Sequence, residues 1–255
     1  MAAAVTPKIL AVIPARFAST RFPGKVIAPI AGKPLVAHVY ERCRNCALLT
    51  ETVVATDDPR VVEALTPFNV MVAMTRSDHP SGTDRIAEVA ARSDAAIVVN
   101  VQGDEPLIDP LTIDATVRAL LSDADVPMAT AKRQITELER IADPNVVKVV
   151  CDERGRALYF SRFPIPYVRD HGDRGKARYW QHIGIYAFRR DFLLKYAKMP
   201  ATPLEKLEKL EQLRVLENGY PIAVVETEYL SIGVDSPEDL ERVRAMVEGA
   251  LKGKK

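Results

Sequence analysis

The sequence has almost no net charge and no long apolar run, and both absences exclude classes of protein. Its 35 basic and 34 acidic residues leave a formal net charge of +1, without the basic excess of a nucleic-acid-binding surface. No apolar run approaches the roughly 18 residues of a membrane-spanning helix. The start, MAAAVTPKIL, lacks the charged and apolar regions of a signal peptide. We therefore expect a cytoplasmic protein that binds neither nucleic acid nor a membrane.

Cysteine is also scarce, and its distribution argues against a disulfide framework or a zinc site. The three cysteines are an odd number, which suits a reducing compartment. Cys43 and Cys46 form a C-x-x-C pair, but zinc needs two further ligands and Cys151 stands alone. The pair falls late in a predicted helix, KPLVAHVYERCRNC, whereas redox pairs lie at helix N-termini. We predict a structural or incidental role for these thiols.

The two common glycine-rich phosphate-binding motifs are missing as well. The Rossmann pattern G-x-G-x-x-G does not occur. The Walker pattern G-x-x-x-x-G-K-[ST] fails around Gly24, because Ser19 stands five residues before it and Val26 follows Lys25. The motifs that would identify the chain as a kinase, an ATPase or a dehydrogenase are therefore absent from the sequence.

What the chain does have is an all-positive loop after its first apolar run. The stretch IPARFASTRFPGK, residues 13–25, follows KILAVIP and contains no carboxylate. Its cations and hydroxyls are Arg16, Ser19, Thr20, Arg21 and Lys25. Guanidinium and ammonium groups bind triphosphate oxygens through charge-assisted hydrogen bonds. The residues alone leave two interpretations open, a phosphate-binding loop and a solvated basic loop.

The first half of the chain alternates between apolar, β-branched runs and segments of helical spacing. The predicted strands are 9–13, 52–56, 70–74 and 96–101. The predicted helices begin with Pro34 at the first helical position, at Asp58-Pro59, within SGTDRIAEVAAR and at Asp109-Pro110. Strands that are apolar on both faces and alternate with helices indicate a parallel sheet that is covered on both sides. We therefore predict an α/β fold with a mostly parallel central sheet and helices on both faces.

The second half has a different pattern. VVKVVCDERGRALYFSR predicts an antiparallel hairpin with its turn at 152–155, and the proline-rich FPIPYVRDHGDRGKARYW is incompatible with regular structure. HIGIYAF and IAVVET predict strands, and TPLEKLEKLEQLRVLENG predicts one helix that ends at Asn218-Gly219. A last helix follows Ser236 as its N-cap. Leucines spaced by three spread apolar surface around the leucine-rich helix, which favours a smaller antiparallel and helical lobe used for dimerisation.

Polar clusters follow each predicted strand of the first half, at the edge where open α/β sheets bind ligands. Asp57-Asp58 follows the second strand, TRSDHPSGTDR the third and QGDEP the fourth. Asp104 and Glu105 lie in the last of these, and Asp235 in GVDSPED has a similar setting. Taken singly, each carboxylate is explained by a turn that bonds its own backbone. Beside a triphosphate-binding loop, Asp104 and Asp235 favour a magnesium site that also uses substrate phosphates.

Together these motifs resemble the 3-deoxy-manno-octulosonate (Kdo) cytidylyltransferase family, the CMP-Kdo synthetases. IPARFASTRFPGK, TRSDHPSGTDR, NVQGDEP, YFSR, HIGIY, LEKLEQLR and GVDSPEDL occur in the family's order, over about residues 9–243. The resemblance implies a fold like that of nucleotide-diphospho-sugar transferases and a homodimer. It implies a magnesium-dependent reaction in which CTP and the sugar acid Kdo give CMP-Kdo and pyrophosphate, for lipopolysaccharide biosynthesis.

The resemblance also implies an organisation and roles for individual residues. The chain would be one nucleotidyltransferase domain, 1–255, with a CTP-binding part at about 8–135, a sugar-binding and dimerisation lobe at about 145–225 and a C-terminal helix at about 237–251. The implied catalytic residues are Arg21, Lys25 and Asp104, and the implied magnesium ligands are Asp104 and Asp235. The implied nucleotide-binding residues are Arg16, Ser19, Arg21, Lys25, Arg76 and Ser81. The implied sugar-binding residues are Gln102, Arg162, His182, Tyr186, Glu211 and Gln212.

Several alternatives stay open. His182 taken without the resemblance is a buried core or rim histidine; with it, a polar contact to the sugar is favoured over a general base. The sugar acid can be 8-amino-Kdo or another acid instead of Kdo, since no residue distinguishes them. A glycosyltransferase of similar fold usually carries a D-x-D motif, whereas QGDEP has adjacent acids. A non-catalytic nucleotide-binding module is opposed by the loop cations and both carboxylates.

Overall fold

A computed structural model of the chain describes residues 7–18, 22–170, 172 and 175–252. Its strands are β1 Ile9–Pro14, β2 Pro29–Ile30, β3 Lys33–Pro34, β4 Glu51–Thr56, β5 Val72–Met74, β6 Ile97–Asn100, β7 Met128–Gln134, β8 Lys148–Cys151, β9 Ala157–Ser161, β10 Trp180–Arg189 and β11 Ile222–Glu226. Its α-helices are α1 Leu35–Arg44, α2 Pro59–Leu65, α3 Gly82–Ala91, α4 Pro110–Ser122, α5 Leu138–Ala142, α6 Arg190–Tyr196, α7 Pro203–Glu208, α8 Leu213–Glu217 and α9 Pro237–Lys252. None of the helices in this described part of the chain is both long and apolar enough to cross a lipid bilayer.

The chain folds into two compact units, one formed by residues 1–114 with 231–255 and the other by residues 115–230. In the first unit the strands run in the order β6-β1-β4-β5, and β1 pairs in parallel with both β4 and β6. Strand β1 is buried along almost its whole length, because parallel strands are covered on both faces. The predicted α/β class with parallel strands is confirmed, and the carboxyl ends of β1, β4 and β6 lie at one edge.

Local sequence signals explain where the helices of the first unit begin. Asp58 caps α2, and its carboxylate accepts a hydrogen bond from the Arg60 backbone N–H at 2.9 Å. At α9 the Ser236 hydroxyl accepts from the Asp239 N–H, so the predicted N-cap is confirmed, and the Asp239 carboxylate accepts from the Ser236 N–H to complete a capping box. The prediction for Pro34 was wrong by one residue. Pro34 is the N-cap of α1 because its extended ψ of 142° also places it in the short strand β3.

The second unit contains the antiparallel pairing that the sequence predicts. Strand β10 is antiparallel to both β7 and β8, β7 is parallel to β11, and β8 and β9 form the predicted hairpin. The hairpin turn ends at Gly155, whose positive φ of 74° is a conformation that glycine adopts without strain. The described residues of the proline-rich stretch 163–180 contain no α-helix, and within them a strand begins only at Trp180, the first residue of β10. The dimerisation role of this unit stays a prediction.

The prediction of one leucine-rich helix was wrong. The segment forms two short helices, α7 and α8, separated by Lys209 in a left-handed conformation with φ 55°. A left-handed residue ends an α-helix. The reversal allows Leu210 and Leu213 to be buried while Leu207 keeps 79% of its surface exposed. A continuous helix would have carried these apolar residues around its axis.

Candidate active site

A cleft of about 250 Å³ lies in the first unit, at the edge where its parallel strands end. The side chains that line it include Arg16 from the loop after β1, Lys25, and Gln102 and Asp104 from the loop after β6. All four were predicted to be functional from the sequence. The carboxyl edge of a parallel sheet is the common ligand position in open α/β folds.

Glycine is required where the two loops meet in this cleft. A Cβ on Gly103 would lie 2.5 Å from the backbone oxygen of Pro14, the last residue of β1. Real Cβ atoms do not approach a backbone oxygen so closely. The glycine of QGDEP therefore allows the loop after β6 to lie directly against the end of β1, and this contact brings Asp104 close to the basic loop.

Lys25 joins the predicted phosphate loop to both predicted metal carboxylates. Its Nζ donates to Asp104 Oδ2 at 2.7 Å, to Asp235 Oδ1 at 2.9 Å and to the Val234 backbone oxygen at 2.9 Å. The Val234 N–H also donates to the Asp104 backbone oxygen at 2.9 Å. Three segments that are distant in sequence are thereby held together, and the two carboxylate oxygens lie within about 6 Å of each other.

The electrostatics of this group favour a bound cation. Burial disfavours the ammonium of Lys25, but Asp104 and Asp235 outweigh it and raise its pKa. One positive charge faces two carboxylates, so the three side chains together carry a formal charge of −1. Within the described residues, no cluster of three or more His, Cys, Asp or Glu side chains is arranged to hold a metal. The two carboxylates fit Mg²⁺, which takes one or two protein carboxylates together with substrate phosphates.

The other predicted nucleotide residues are only partly gathered at the cleft. Arg16 lines it, and its Nη2 donates to the His79 backbone oxygen at 2.8 Å. Ser81 is the N-cap of α3, and its hydroxyl donates to Asp84 Oδ2 at 2.7 Å. The Arg76 side chain lies at the surface in an exposed ion pair with Asp78. The roles assigned to Arg76 and Ser81 stay predictions.

Two of the predicted nucleotide residues, Ser19 and Arg21, lie outside the described residues. The Gly24 N–H donates to the Phe17 backbone oxygen at 2.8 Å, so the described ends of the loop that carries Ser19 and Arg21 meet. Gly24, just before Lys25, has a positive φ of 73°, a conformation that glycine adopts without strain.

Five of the six predicted sugar-binding residues lie in the second unit, and two of them, His182 and Gln212, are buried. Burial lowers the pKa of His182 to about 3, so the ring is neutral near pH 7. Its Nε2 lies 2.9 Å from Thr130 Oγ1, and that hydroxyl donates to the Ile185 backbone oxygen at 2.7 Å. That hydroxyl has one proton, and when it goes to the Ile185 oxygen the His182 ring donates from Nε2 and keeps Nδ1 as the acceptor. A general base is therefore disfavoured, and the predicted sugar contact stays untested.

Tyr186 and Gln212 form a polar pair beside His182. The Tyr186 hydroxyl donates to Gln212 Oε1 at 3.2 Å, and its ring lies 5.5 Å from that of His182. Burial and the nearby carboxylate of Glu211 raise the pKa of Tyr186. Gln212 Nε2 is buried and has no hydrogen-bond partner among the described residues. An unsatisfied buried amide costs free energy, so this donor is a candidate contact for a ligand.

The Arg162 guanidinium is already used within the second unit. Its Nε donates to the Glu208 backbone oxygen at 2.7 Å, and its Nη1 donates to that of Pro144 at 2.9 Å. The Arg162 backbone N–H donates to the Glu208 carboxylate, and its backbone oxygen accepts from Lys148 Nζ. The predicted contact between Arg162 and a sugar carboxylate stays untested.

Sequence reasoning missed several residues that hold these predicted residues in place. Glu208 and Lys148 surround Arg162, and two residues of α3, Arg85 and Glu88, bind the segment before that helix. The i,i+3 spacing of Arg85 and Glu88 was a usable signal, because it places both side chains on one helix face. Glu208 and Lys148 act through backbone groups, which leave no pattern in the sequence.

The cysteine pair is buried, in accord with a structural role. Cys43 is fully buried and Cys46 is 9% exposed. Burial raises the pKa of the Cys43 thiol, and it raises that of Cys46 to about 12. Thiols that stay protonated near pH 7 are poor nucleophiles and poor metal ligands.

Comparison with known proteins identifies the family. A cytidylyltransferase family profile matches residues 10–228. A 3-deoxy-manno-octulosonate cytidylyltransferase from Solibacter usitatus is 57% identical over 244 residues, which is 96% of this chain and 96% of the relative. A protein of the same name from Geobacter metallireducens is 56% identical over 244 residues, 92% of this chain and 96% of the relative.

Solved structures show the same relationship. CMP:2-keto-3-deoxy-manno-octonic acid synthetase complexed with CTP is 45% identical, with a TM-score of 0.91, over 95% of this chain and 99% of the other. A 4-diphosphocytidyl-2C-methyl-D-erythritol synthase from Anaerococcus prevotii is 13% identical, with a TM-score of 0.61, over 95% of this chain and 97% of its own. At that identity only the fold is shared. The chain belongs to the cytidylyltransferase family, in the group of the 3-deoxy-manno-octulosonate cytidylyltransferases.

Proposed function

We propose that the chain transfers a cytidylyl group from CTP to the anomeric hydroxyl of 3-deoxy-D-manno-octulosonate, giving CMP-Kdo and pyrophosphate. The hydroxyl would attack the α-phosphorus in line, without a phosphorylated enzyme. Negative charge on the triphosphate must be balanced while pyrophosphate leaves, so the protein contributes mainly positioning and electrostatic stabilisation.

The observation that carries the proposal is the group formed by Lys25, Asp104 and Asp235 beside Arg16 in one cleft. Arg16 and Lys25 supply the positive charge that triphosphate oxygens need. The two carboxylates supply the negative charge that a bridging cation needs. Neither set alone would favour nucleotidyl transfer over simple anion or cation binding.

Asp104 and Asp235 would hold Mg²⁺, which would neutralise triphosphate charge and acidify the attacking hydroxyl when bound. Lys25 keeps these two carboxylates close together in the structure described above, because it donates to both. Its pKa is raised, so the positive charge is retained throughout the neutral range. Lys25 is therefore suited both to hold the carboxylates and to face phosphate oxygens, and Arg21 is proposed to do the latter as well.

The sugar acid would bind through neutral polar groups of the second unit. His182 Nδ1 is an acceptor, and Gln212 Nε2 is a buried donor without a partner among the described residues. Sugar hydroxyls donate and accept, so they can satisfy both groups. Tyr186, Glu211 and Arg162 complete the proposed set of sugar-binding residues in this unit, and the sugar-binding role of Gln102 stays a prediction.

The setting of the reaction is also part of the proposal. The product would serve lipopolysaccharide biosynthesis, and the enzyme would act in the cytoplasm as a homodimer. Support for a dimer comes from apolar side chains in the second unit, where Leu138, Phe163 and Tyr167 keep 81%, 72% and 81% of their surface exposed around one hollow. Exposed apolar patches often mark contact surfaces between proteins.

The test is pyrophosphate release with magnesium, in which CTP, UTP, ATP and GTP are each combined with Kdo, 8-amino-Kdo, sialic acid or no acceptor. We expect release only when CTP and a Kdo-type acid are both present. Release with 8-amino-Kdo alone would replace the substrate but keep the reaction. Release with sialic acid alone, or no release by folded protein that binds CTP, would contradict the proposal.

The dimer is tested separately by sedimentation or light scattering. The double variant Phe163→Ser with Tyr167→Ser should be monomeric at protein concentrations where the unaltered chain is dimeric. Leu207→Ser is the matched control, since Leu207 is equally exposed at 79% but lies on α7, away from the hollow. A monomeric unaltered chain would contradict the homodimer.

A further inference from the structure

The segment Thr75–His79 lies in the connection between β5 and α3, and two side chains of α3 bind it. Arg85 donates from Nη1 to the Thr75 hydroxyl, and that hydroxyl donates to the Thr56 backbone oxygen of β4 at 3.1 Å. Glu88 Oε2 accepts from the Arg76 backbone N–H at 3.0 Å and contacts the His79 ring at Nε2. The connecting segment is therefore tied to α3 at both of its ends.

The Glu88–His79 contact is a polar pair with little access to water. The side chains are 15% and 7% exposed. Desolvation opposes ionisation of Glu88, but the contacts with His79 and the Arg76 N–H outweigh it and lower the pKa of Glu88. A carboxylate only accepts hydrogen bonds, so the His79 Nε2 carries the proton in this pair. Buried charge-assisted bonds of this kind hold a ring in one orientation.

The backbone oxygen of this same His79 is the acceptor for Arg16. Arg16 Nη2 donates to it at 2.8 Å, and Arg16 lines the cleft that holds Lys25 and Asp104. The carbonyl position depends on where His79 sits, and His79 is held by Glu88. A continuous chain of contacts thus runs from Glu88 on α3, through His79, to a guanidinium in the cleft.

We propose that Glu88 is a positioning residue for CTP binding, which acts through His79 to fix the Arg16 guanidinium in the cleft. The proposal rests on the proposed function, in which Arg16 binds the triphosphate. Glu88 itself would touch neither substrate. Its role would be to fix the Arg16 guanidinium in the cleft before CTP binds, so that ordering this side chain does not reduce the free energy of CTP binding.

The direct test measures CTP binding with magnesium by calorimetry, in the absence of any sugar acid. We expect Glu88→Ala to weaken CTP binding about tenfold, because one charge-assisted hydrogen bond no longer fixes the segment. Glu88→Gln keeps an oxygen at the same place and should recover most of the affinity. His79→Phe fills the same space without a ring nitrogen and should match Glu88→Ala. Variants that bind CTP as the unaltered chain does would overturn the proposal.

Arg92→Ala is the matched control. Arg92 is 63% exposed and contacts the other oxygen of Glu88, Oε1, so its removal leaves both Oε2 contacts in place. We expect its CTP affinity to stay within about twofold of the unaltered chain. An equal loss in Arg92→Ala and Glu88→Ala would mean that α3 is generally weakened, which would overturn a specific role for Glu88.

A double-mutant cycle separates positioning from general destabilisation. If Glu88 acts through Arg16, the double variant Arg16→Ala with Glu88→Ala should bind CTP less than about twofold more weakly than Arg16→Ala alone. The reason is that the guanidinium that Glu88 positions is already absent from Arg16→Ala. Additive losses would overturn the proposal. In steady state the KM for CTP should rise while the KM for the sugar acid is unchanged. An unaltered chain that binds CTP but releases no pyrophosphate would contradict the proposed function alone, and these binding data would still decide the role of Glu88.

Discussion

Each unit contains a buried lysine whose ammonium group makes three hydrogen bonds, but the two lysines have different partners. Lys25 in the first unit donates to two carboxylates and one backbone oxygen, and 12% of its side chain is exposed. Lys148 in the second unit is fully buried and donates to three backbone oxygens, those of Asp143, Val146 and Arg162. The carboxylates raise the pKa of Lys25, whereas burial lowers that of Lys148.

The difference separates a group prepared for a ligand from a group that holds the chain together. Around Lys25 the two carboxylates exceed the ammonium charge, and Lys25 and Asp104 line an open cleft, so the group can exchange partners when a cation and a polyphosphate arrive. Around Lys148 all three hydrogen bonds of the ammonium go to backbone oxygens, and the oxygen of Asp143 also accepts from the Val146 N–H at 3.2 Å. We therefore expect substitutions near Lys25 to affect turnover and substitutions of Lys148 to affect stability.

The largest effect is expected for Asp104→Asn. Turnover should fall about a thousandfold, because a neutral amide no longer helps to hold Mg²⁺ or balance charge in the transition state. The free energy of unfolding should change by less than about 1 kcal/mol, since Lys25 keeps Asp235 and the Val234 oxygen as acceptors. Pyrophosphate release at saturating CTP and Kdo, followed as magnesium increases, measures the first quantity, and chemical unfolding measures the second.

Asp191→Asn is the control for that substitution, because the Asp191 side chain is 94% exposed on α6 and forms a surface ion pair with its neighbour Arg190. Turnover by Asp191→Asn should equal that of the unaltered chain. Near-normal turnover by Asp104→Asn at saturating magnesium would mean that Asp104 is not a magnesium ligand. It would also contradict the expected difference between the two lysines, in which substitutions near Lys25 affect turnover.

The next largest effect is expected for Lys148→Met, and it concerns stability instead of turnover. Methionine fills the volume but removes the ammonium donor from the backbone oxygens of Asp143, Val146 and Arg162, so the free energy of unfolding should fall by about 3 kcal/mol. The KM for CTP should not change in protein that is still folded. Lys206→Met, at an exposed position on α7, should alter stability by less than about 0.5 kcal/mol. Equal stability of the two variants in chemical unfolding would contradict a structural role for Lys148.

The contrast also explains which parts of the molecule could be predicted from the sequence. The strands and helices of the first unit were predictable because apolar periodicity and caps such as Asp58 are local signals. The cleft was predictable because parallel strands gather their following loops at one edge, which brought Lys25 near Asp104. Gly103 could be located in the sequence, but its contact with Pro14 depends on the register of β1 and β6.

The parts that were missed depend on contacts between distant segments. The break between α7 and α8 falls at Lys209, which has a left-handed conformation. The residue there is neither glycine nor proline, so no local signal in the leucine pattern of 204–216 predicts the break. Lys148 looked like an ordinary strand residue, because its partners are backbone oxygens. The burial of His182, and hence its neutral state, follows from packing between Phe160 and Tyr186, which the sequence motif HIGIY does not show.

The smallest of the three effects concerns His182 and the dependence of stability on pH. Its pKa falls from the model-peptide value of 6.5 to about 3 on burial, so between these values the unfolded chain binds a proton that the folded chain does not. Stability from this group is therefore complete above pH 6.5 and falls as the pH decreases. Between pH 7 and pH 5 the loss should be about 2 kcal/mol. His182→Gln, which cannot titrate, should lose that much less over the same range in chemical unfolding. Identical pH dependence of the two proteins would mean that His182 is solvated. The contrast between a neutral, buried side chain in the second unit and the charged cleft around Lys25 in the first would then be wrong.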